Sequence, residues 1–263
     1  MRTYPNHRTQ REWNLLAPEL PPRNQTPRTE WGWRAILNAI FDVLRTGCQW
    51  RSRAKHFPPW KTVYHDFRAW IRAGIWQRLT TVLREQVRIR SDKNAQPSAC
   101  CIDTHSVKTS DLAGERGYDG HKRINGRKRF LLVDTLGLLL HAKVMPANWS
   151  EVDCALVGLE PVRSELPQLE VMWADGGFDD FKFRSWALGA MGCKLEITKG
   201  LSKPGKADFK VAPRRWVVER TSAWLGRNRR LTRDVERLSV ASEAWMFAAM
   251  VRLMLVRLAK SAC

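Results

Sequence analysis

No Cys-x-x-Cys pair occurs among the six cysteines, which stand at positions 48, 100, 101, 154, 193 and 263. Zinc-site spacing is therefore missing, and the adjacent Cys100 and Cys101 cannot easily bridge. That combination points to reduced thiols in a reducing compartment. Long apolar runs are missing too. The most apolar stretch, residues 244–251, is too short to span a bilayer, and Arg252 and Arg257 interrupt the residues after it. The first residues are polar and proline-rich, unlike a signal peptide. There is no internal repeat and no low-complexity tract. A soluble protein is expected.

Acidic residues are also scarce. Lys plus Arg number 45 against 26 Asp plus Glu, a formal charge of +19. The excess is not a detachable tail: residues 1–95 hold 18 basic and 7 acidic side chains, and the rest hold 27 and 19. The folded surface itself must be positive, which favours a polyanionic partner, nucleic acid first. The 263 residues suffice for a substantial core and two domains. Thirteen tryptophans suit core and inter-helix anchors, with some available for stacking on bases.

The first 28 residues, with five prolines, read as an extended arm with one short helix around Trp13–Leu16. Thr29 can cap a helix to about Thr46, stopped by Gly47. Pro58 and Pro59 open a helix over 60–73, Gly74 breaks it, and a third helix runs to about Arg90. Lys61, His65, Arg68, Arg72 and Arg78 give this interval a basic face. Short helices and a glycine break suit a helix-turn-helix reader of DNA, in which Lys61, Arg68 and Arg72 meet phosphates; an all-α cap with a solvated basic face is the alternative. Residues 91–98 read as a linker.

Strand patterns then begin. Residues 99–103 form a short apolar strand ending in Asp103. Residues 110–129 read as a glycine-containing basic loop, with Lys122, Arg123, Arg127, Lys128 and Arg129 either lining a DNA path or solvated. Lys108, just before it, joins the same set of phosphate contacts. A hairpin spans 130–134 and 138–144 around Thr135-Leu136-Gly137. A helix over 151–165, a strand over 169–174 ending in Asp175, a helix over 179–191 and a strand over 194–198 come next. A helix starts at Pro213, with Val217, Val218, Thr221, Trp224 and Leu225 on one apolar stripe and Glu219 off it. A final apolar helix over 241–260 suits core packing or a subunit contact. The order predicts an α/β domain with a mixed, RNase H-like sheet at 96–263, behind an all-α DNA-binding domain at 1–95.

Asp103 and Asp175 each end an apolar strand, the edge at which α/β sheets bind ligands. Carboxylates there are costly unless paired or bound to a cation. Glu219, on a helix packed beside the sheet, makes a third. Oxygen ligands without His or Cys suit magnesium or manganese. Two such ions about 4 Å apart can activate a water or a 3′-hydroxyl for in-line attack on phosphorus. His105 shares a strand face with Asp103 if the strand continues, as a phosphate contact or a polar bystander. Arg215, one turn before Glu219, either pairs with it or contacts a phosphate, and Arg220 stands directly after it.

These residues stand in blocks that resemble the DDE transposases of the bacterial insertion-sequence family five. The blocks are residues 45–51 (RTGCQWR), 57–64 (FPPWKTVY), 102–109 (IDTHSVKT), 126–129 (GRKR), 132–135 (LVDT), 174–177 (ADGG) and 214–221 (RRWVVERT). The resemblance covers nearly the whole chain. It implies that Asp103, Asp175 and Glu219 are the catalytic and metal-binding triad. It also implies recognition of the element's inverted-repeat ends, strand cleavage, and transfer of the 3′-hydroxyl into target DNA. A homodimer or larger assembly on double-stranded DNA is implied as well, since two ends must be held, and so is a cytoplasmic, nucleoid-associated location. The chain departs from the broader group at Ala212, where a Tyr is common, and at Gly226, where a Lys is common, although Arg227 stands next door. A catalytically inactive DNA-binding relic and a nuclease that cuts without joining are the alternatives.

Overall fold

The computed structural model describes residues 7–23, 31–111, 114–198 and 216–260. Helices α1 (Gln10–Leu16), α2 (Trp33–Thr46), α3 (Trp60–Arg72) and α4 (Ile75–Ile89) come first. They end where the sequence predicts: Gly47 closes α2 in the left-handed region at φ 71°, and Gly74 separates α3 from α4. Thr29 lies outside the described residues, and Gly32 occupies the N-cap of α2. Strands β1 (Ala99–Lys108), β2 (Gly117–Asp119), β3 (Ile124–Asp134) and β4 (Leu139–Pro146) come after them. Then come α5 (Glu151–Leu159), β5 (Val171–Ala174), α6 (Phe181–Met191), β6 (Lys194–Ile197), α7 (Trp216–Gly226) and α8 (Ser239–Lys260).

The six strands make one mixed sheet in the order β2-β3-β1-β5-β6, with β4 also paired to β3. Strands β1, β3 and β4 are antiparallel, while β1, β5 and β6 run parallel. Helices cover both faces, the RNase H-like arrangement expected. Strand alternation sorts the side chains. Cys100, Ile102, Met172 and Ala174 pack with α5 and α6 on one face. Cys101, Leu131, Val133 and Trp173 face the other way, toward α1 to α4, α7 and α8.

Two expectations are corrected. Strand β1 does not stop at Asp103 but runs five residues further, because β3 supplies hydrogen-bonding partners up to Lys108. The basic stretch before Phe130 is not all loop: β3 begins at Ile124 and brings Arg127, Lys128 and Arg129 into the sheet.

Helix α8 is long and apolar enough to cross a membrane by length and composition, with a mean hydropathy of 1.4, but 72% of its apolar window is buried in the protein. It packs against α4, α1, α2, α3 and β4. The helices of 1–95 and the sheet therefore share one core through α8. Buried charge ties the same parts together: Arg88 of α4 donates to Asp134 at the end of β3 at 2.7 Å. The boundary near residue 95 is a change of secondary-structure type, with continuous packing across it.

Candidate active site

Strands β1 and β5 pair in parallel only as far as Cys101 and Trp173. Beyond that pair β1 stays with β3, β5 ends, and the two strands part. Asp103 and Asp175 each lie two residues past the last pair, on the alternation shared by Cys101 and Trp173. The carboxylates therefore flank the opening on the face that carries α7. Asp103, Asp175, Thr198 and Val218 line a small cleft there. Glu219 is the next residue after Val218, exposed at the start of α7.

Helix α7 is fixed from the opposite side. Thr221 Oγ1 donates to Gly137 O at 2.8 Å, and Arg220 donates to Leu136 O at 2.9 Å. Gly137 is required twice, once by its φ of 76° and once by space, since a Cβ there would stand 2.8 Å from Thr221 Oγ1. The β3–β4 turn thus orients the helix that bears Glu219. Of the apolar stripe read from sequence, Val217, Val218, Thr221 and Leu225 are buried and Trp224 is half-buried, while Glu219 is exposed.

The electrostatics of Asp103 suit a cation. Its carboxyl is pushed up to about 6, chiefly by burial, with the charges of Asp175 and Glu151 adding; the Thr104 N–H at 2.8 Å and Lys122 act the other way. Asp175 caps the short turn Gly176–Phe178 and accepts the Gly177 N–H at 3.0 Å. A buried carboxylate repelled by a second one is relieved by a proton or by a hard cation. The all-oxygen donor set and this repulsion fit magnesium or manganese. Among the described residues, no group of three or more His, Cys, Asp and Glu side chains is close enough to hold a metal ion as the chain stands.

Sequence reasoning passed over Glu151. It opens α5 after the Ser150 cap, where an acidic residue is ordinarily explained by the helix dipole. Its Oε1 accepts from Thr104 Oγ1 at 3.0 Å, and its Oε2 crowds the position a Cβ would take on Gly177, beside Asp175 Oδ1. It thus reaches the Asp103–Asp175 opening from the far face of the sheet. Only the fold brings it there, and no local signal in the sequence marks it.

The basic residues divide into two sets. Lys108, Lys122 and Arg123 are exposed; Lys122 stands beside the cleft, its Nζ donating to Thr104 O at 3.3 Å, while Lys108 ends β1 five residues beyond Asp103. His105 is also exposed, with its imidazole held below the ordinary value by desolvation and by the charges of Arg129 and Lys122. Arg127, Lys128 and Arg129 are not surface residues, and the DNA-path reading is corrected for them: they are 0%, 7% and 5% exposed. Arg127 pairs with Asp234 at 3.1 Å and also donates to Glu115 O, Glu236 O and Arg237 O. Lys128 donates to Trp149 O at 2.6 Å and Arg129 to Leu231 O at 2.7 Å. Arg220 lies over Trp216 and Trp224 in the protein's own packing. Arg215 lies outside the described residues.

On α3, Lys61, His65, Arg68 and Arg72 recur at four-, three- and four-residue steps and so form one stripe. Lys61 and Arg72 are exposed, while Arg68 is half-buried and donates to Tyr64 Oη at 3.2 Å. Helix α4 turns inward instead, with Arg84 and Arg88 buried. The basic helix on display in this helix pair is therefore α3.

A family model described as "Transposase DDE domain" matches residues 94–254, more than half of the chain, and the chain belongs to that family. A second model, described as "Putative transposase of IS4/5 family", matches residues 9–80. Among relatives, the "Insertion element IS402 uncharacterized 16.2 kDa protein" of Burkholderia cepacia is 31% identical over 103 residues, covering 36% of this chain and 69% of that one. The "Putative transposase for insertion sequence element IS402" of the same organism is 34% identical over 119 residues. That match covers 43% of this chain and 54% of the relative, so the chain matches about half of its length.

Proposed function

We propose that this protein is the transposase of an insertion sequence: it binds the element's terminal inverted repeats, cleaves DNA at the ends and joins the freed 3′-hydroxyl to target DNA. The observation that carries the reading is the placement of Asp103 and Asp175 in matching register where β1 and β5 part, beside the helix that presents Glu219. These three residues would hold two Mg2+ or Mn2+ ions, which when bound lower the pKa of a water or hydroxyl and neutralise charge on the phosphate. Glu219 sits on a helix anchored to the β3–β4 turn, so that anchor sets its reach toward the aspartates. Lys122, beside Asp103, meets the phosphate on its way into the cleft, and Lys108 and Arg123 extend that path. The α3 stripe of Lys61, Arg68 and Arg72 contacts the backbone of the end sequence. A homodimer or larger assembly holds the two ends, and the protein works on the nucleoid in the cytoplasm.

The test uses labelled DNA carrying the flanks of this protein's own gene, incubated with magnesium, with manganese or with chelator. The expected result is metal-dependent nicking at a fixed position, then a new covalent junction with target DNA. Nicks without any junction would reduce the protein to a nuclease. Specific binding with no nicks in either metal would make it an end-binding relic.

A further inference from the structure

A second pocket lies about 10 Å further along α7 from the cleft, at Trp224 and Leu225. It measures about 210 Å3 and is walled by α7, the segment after it, the end of α2 and one side of α8. Three guanidinium groups line it: Arg45, Arg227 and Arg252. Its accessible apolar lining is Trp224, Leu253 and Val256, each half-buried, over the buried Leu225 and Met250.

The protein's own contacts leave this pocket unsatisfied. Arg252 Nε is buried with no hydrogen-bond partner among the described residues. Its guanidinium is lowered to about 10 by burial first, and then by the charges of Arg8 and Arg45, with Glu12 opposing. Arg45 donates to Arg227 O at 3.0 Å, which holds these two walls together. Asn228, only 5% exposed, donates to Leu225 O at 3.2 Å, yet its Oδ1 is buried with no partner among the described residues. Arg220 and Arg257 lie over the Trp224 ring at 4.6 and 4.3 Å and add to the positive field.

A fold gains nothing from crowding the exposed Arg45 and Arg227 around the half-buried Arg252, or from burying an unpaired amide oxygen. A ligand that brings an anion, a flat apolar body and a hydrogen-bond donor would satisfy all of them together. Inorganic phosphate lacks the apolar body, and a phosphate on an intact duplex leaves the apolar lining wet. We propose that the pocket receives one unpaired nucleotide of the bound DNA. Its phosphate lies against Arg45, Arg227 and Arg252, its base covers Leu253 and Val256, and a base amine donates to Asn228 Oδ1. This assignment rests on the reading of the protein as a DNA-acting enzyme and adds a site separate from the carboxylates.

The test compares a short labelled duplex, blunt or with an unpaired overhang on either strand, by fluorescence anisotropy at one salt concentration. Wild-type protein is expected to prefer an overhang by about tenfold. Arg252→Met should abolish that preference and leave blunt-duplex affinity within about twofold. Its Tm should not fall, because a desolvated and repelled charge has been replaced by an apolar chain of similar reach. Val256→Phe, which fills the pocket and keeps its charge, should also lose the preference. Equal wild-type affinity for blunt and overhanging DNA, with metal-dependent cutting intact, overturns this proposal alone. A preference that survives in both variants overturns it too. Wild-type protein that binds neither DNA overturns it together with the DNA-binding reading.

Discussion

Strand β3 and helix α3 carry basic side chains at similar density, yet the strand buries them and the helix displays them. Arg127, Lys128 and Arg129 are enclosed because the strand has neighbours on both edges, β1 on one and β2 and β4 on the other, and elements packed on both faces. They donate to Asp234 and to carbonyls of residues 115, 149, 231, 236 and 237, although Nε and Nη2 of Arg129 are buried with no partner among the described residues. Helix α3 packs along Val63, Phe67 and Trp70, which leaves the Lys61–Arg72 stripe outside that contact. Positive composition is therefore a poor guide to where DNA binds. In this molecule part of the charge holds the segment before α8 to the sheet.

The largest effect expected from breaking that comparison is neither in the strand nor in the stripe. Asp103→Asn, Asp175→Asn and Glu219→Gln should each lower DNA cleavage on the order of a thousandfold, with DNA binding unchanged, read in parallel gel assays. Glu151→Gln should cut less steeply, and differential scanning fluorimetry should report a smaller Mn2+-induced rise in Tm than for wild-type protein.

Within the buried set, Arg127→Met should cost about 3–5 kcal/mol, because Asp234 stays buried without its cation. Chemical denaturation measures this, and the remaining folded fraction should bind DNA normally. If DNA binding fell while stability held, Arg127 would belong with the surface set after all.

His141 offers a titration in the same core. Its value drops to about 4, from 6.5, through burial and then through Lys143, and its ring meets Phe247 edge-on at 6.1 Å. The folded value lies below the unfolded one, so the unfolded chain binds more protons between them. Stability is complete above pH 6.5 and falls as the pH drops toward 4, by about 3 kcal/mol at most. His141→Phe should flatten that part of the stability profile.

The smallest effect is on the displayed set. Lys61→Gln with Arg72→Gln should leave Tm unchanged and weaken duplex binding severalfold. The slope of log affinity against log salt should fall by about 2. An unchanged slope would mean that α3 does not touch the backbone.

Much of this was legible in the sequence for physical reasons. Helices α2, α3 and α4 declare themselves through period and through Gly47 and Gly74, and the β3–β4 turn through Gly137. Asp103 and Asp175 were visible as carboxylates at the ends of apolar runs. The features that were not legible depend on long-range pairing. The extension of β1 past Asp103 and the burial of Arg127 both result from β3, whose basic residues read locally as loop. Glu151 enters the site only because α5 crosses the far face of the sheet near Gly177. The union of α8 with the N-terminal helices is likewise set by packing between segments more than a hundred residues apart.

The most direct test of the central claim is a paired measurement on Asp175→Asn: end-DNA binding and magnesium-dependent cleavage in the same preparation. The account predicts binding within twofold of wild type and no cleavage. Cleavage at the wild-type rate would remove Asp175 from the active site and with it the assignment of the cleft between β1 and β5.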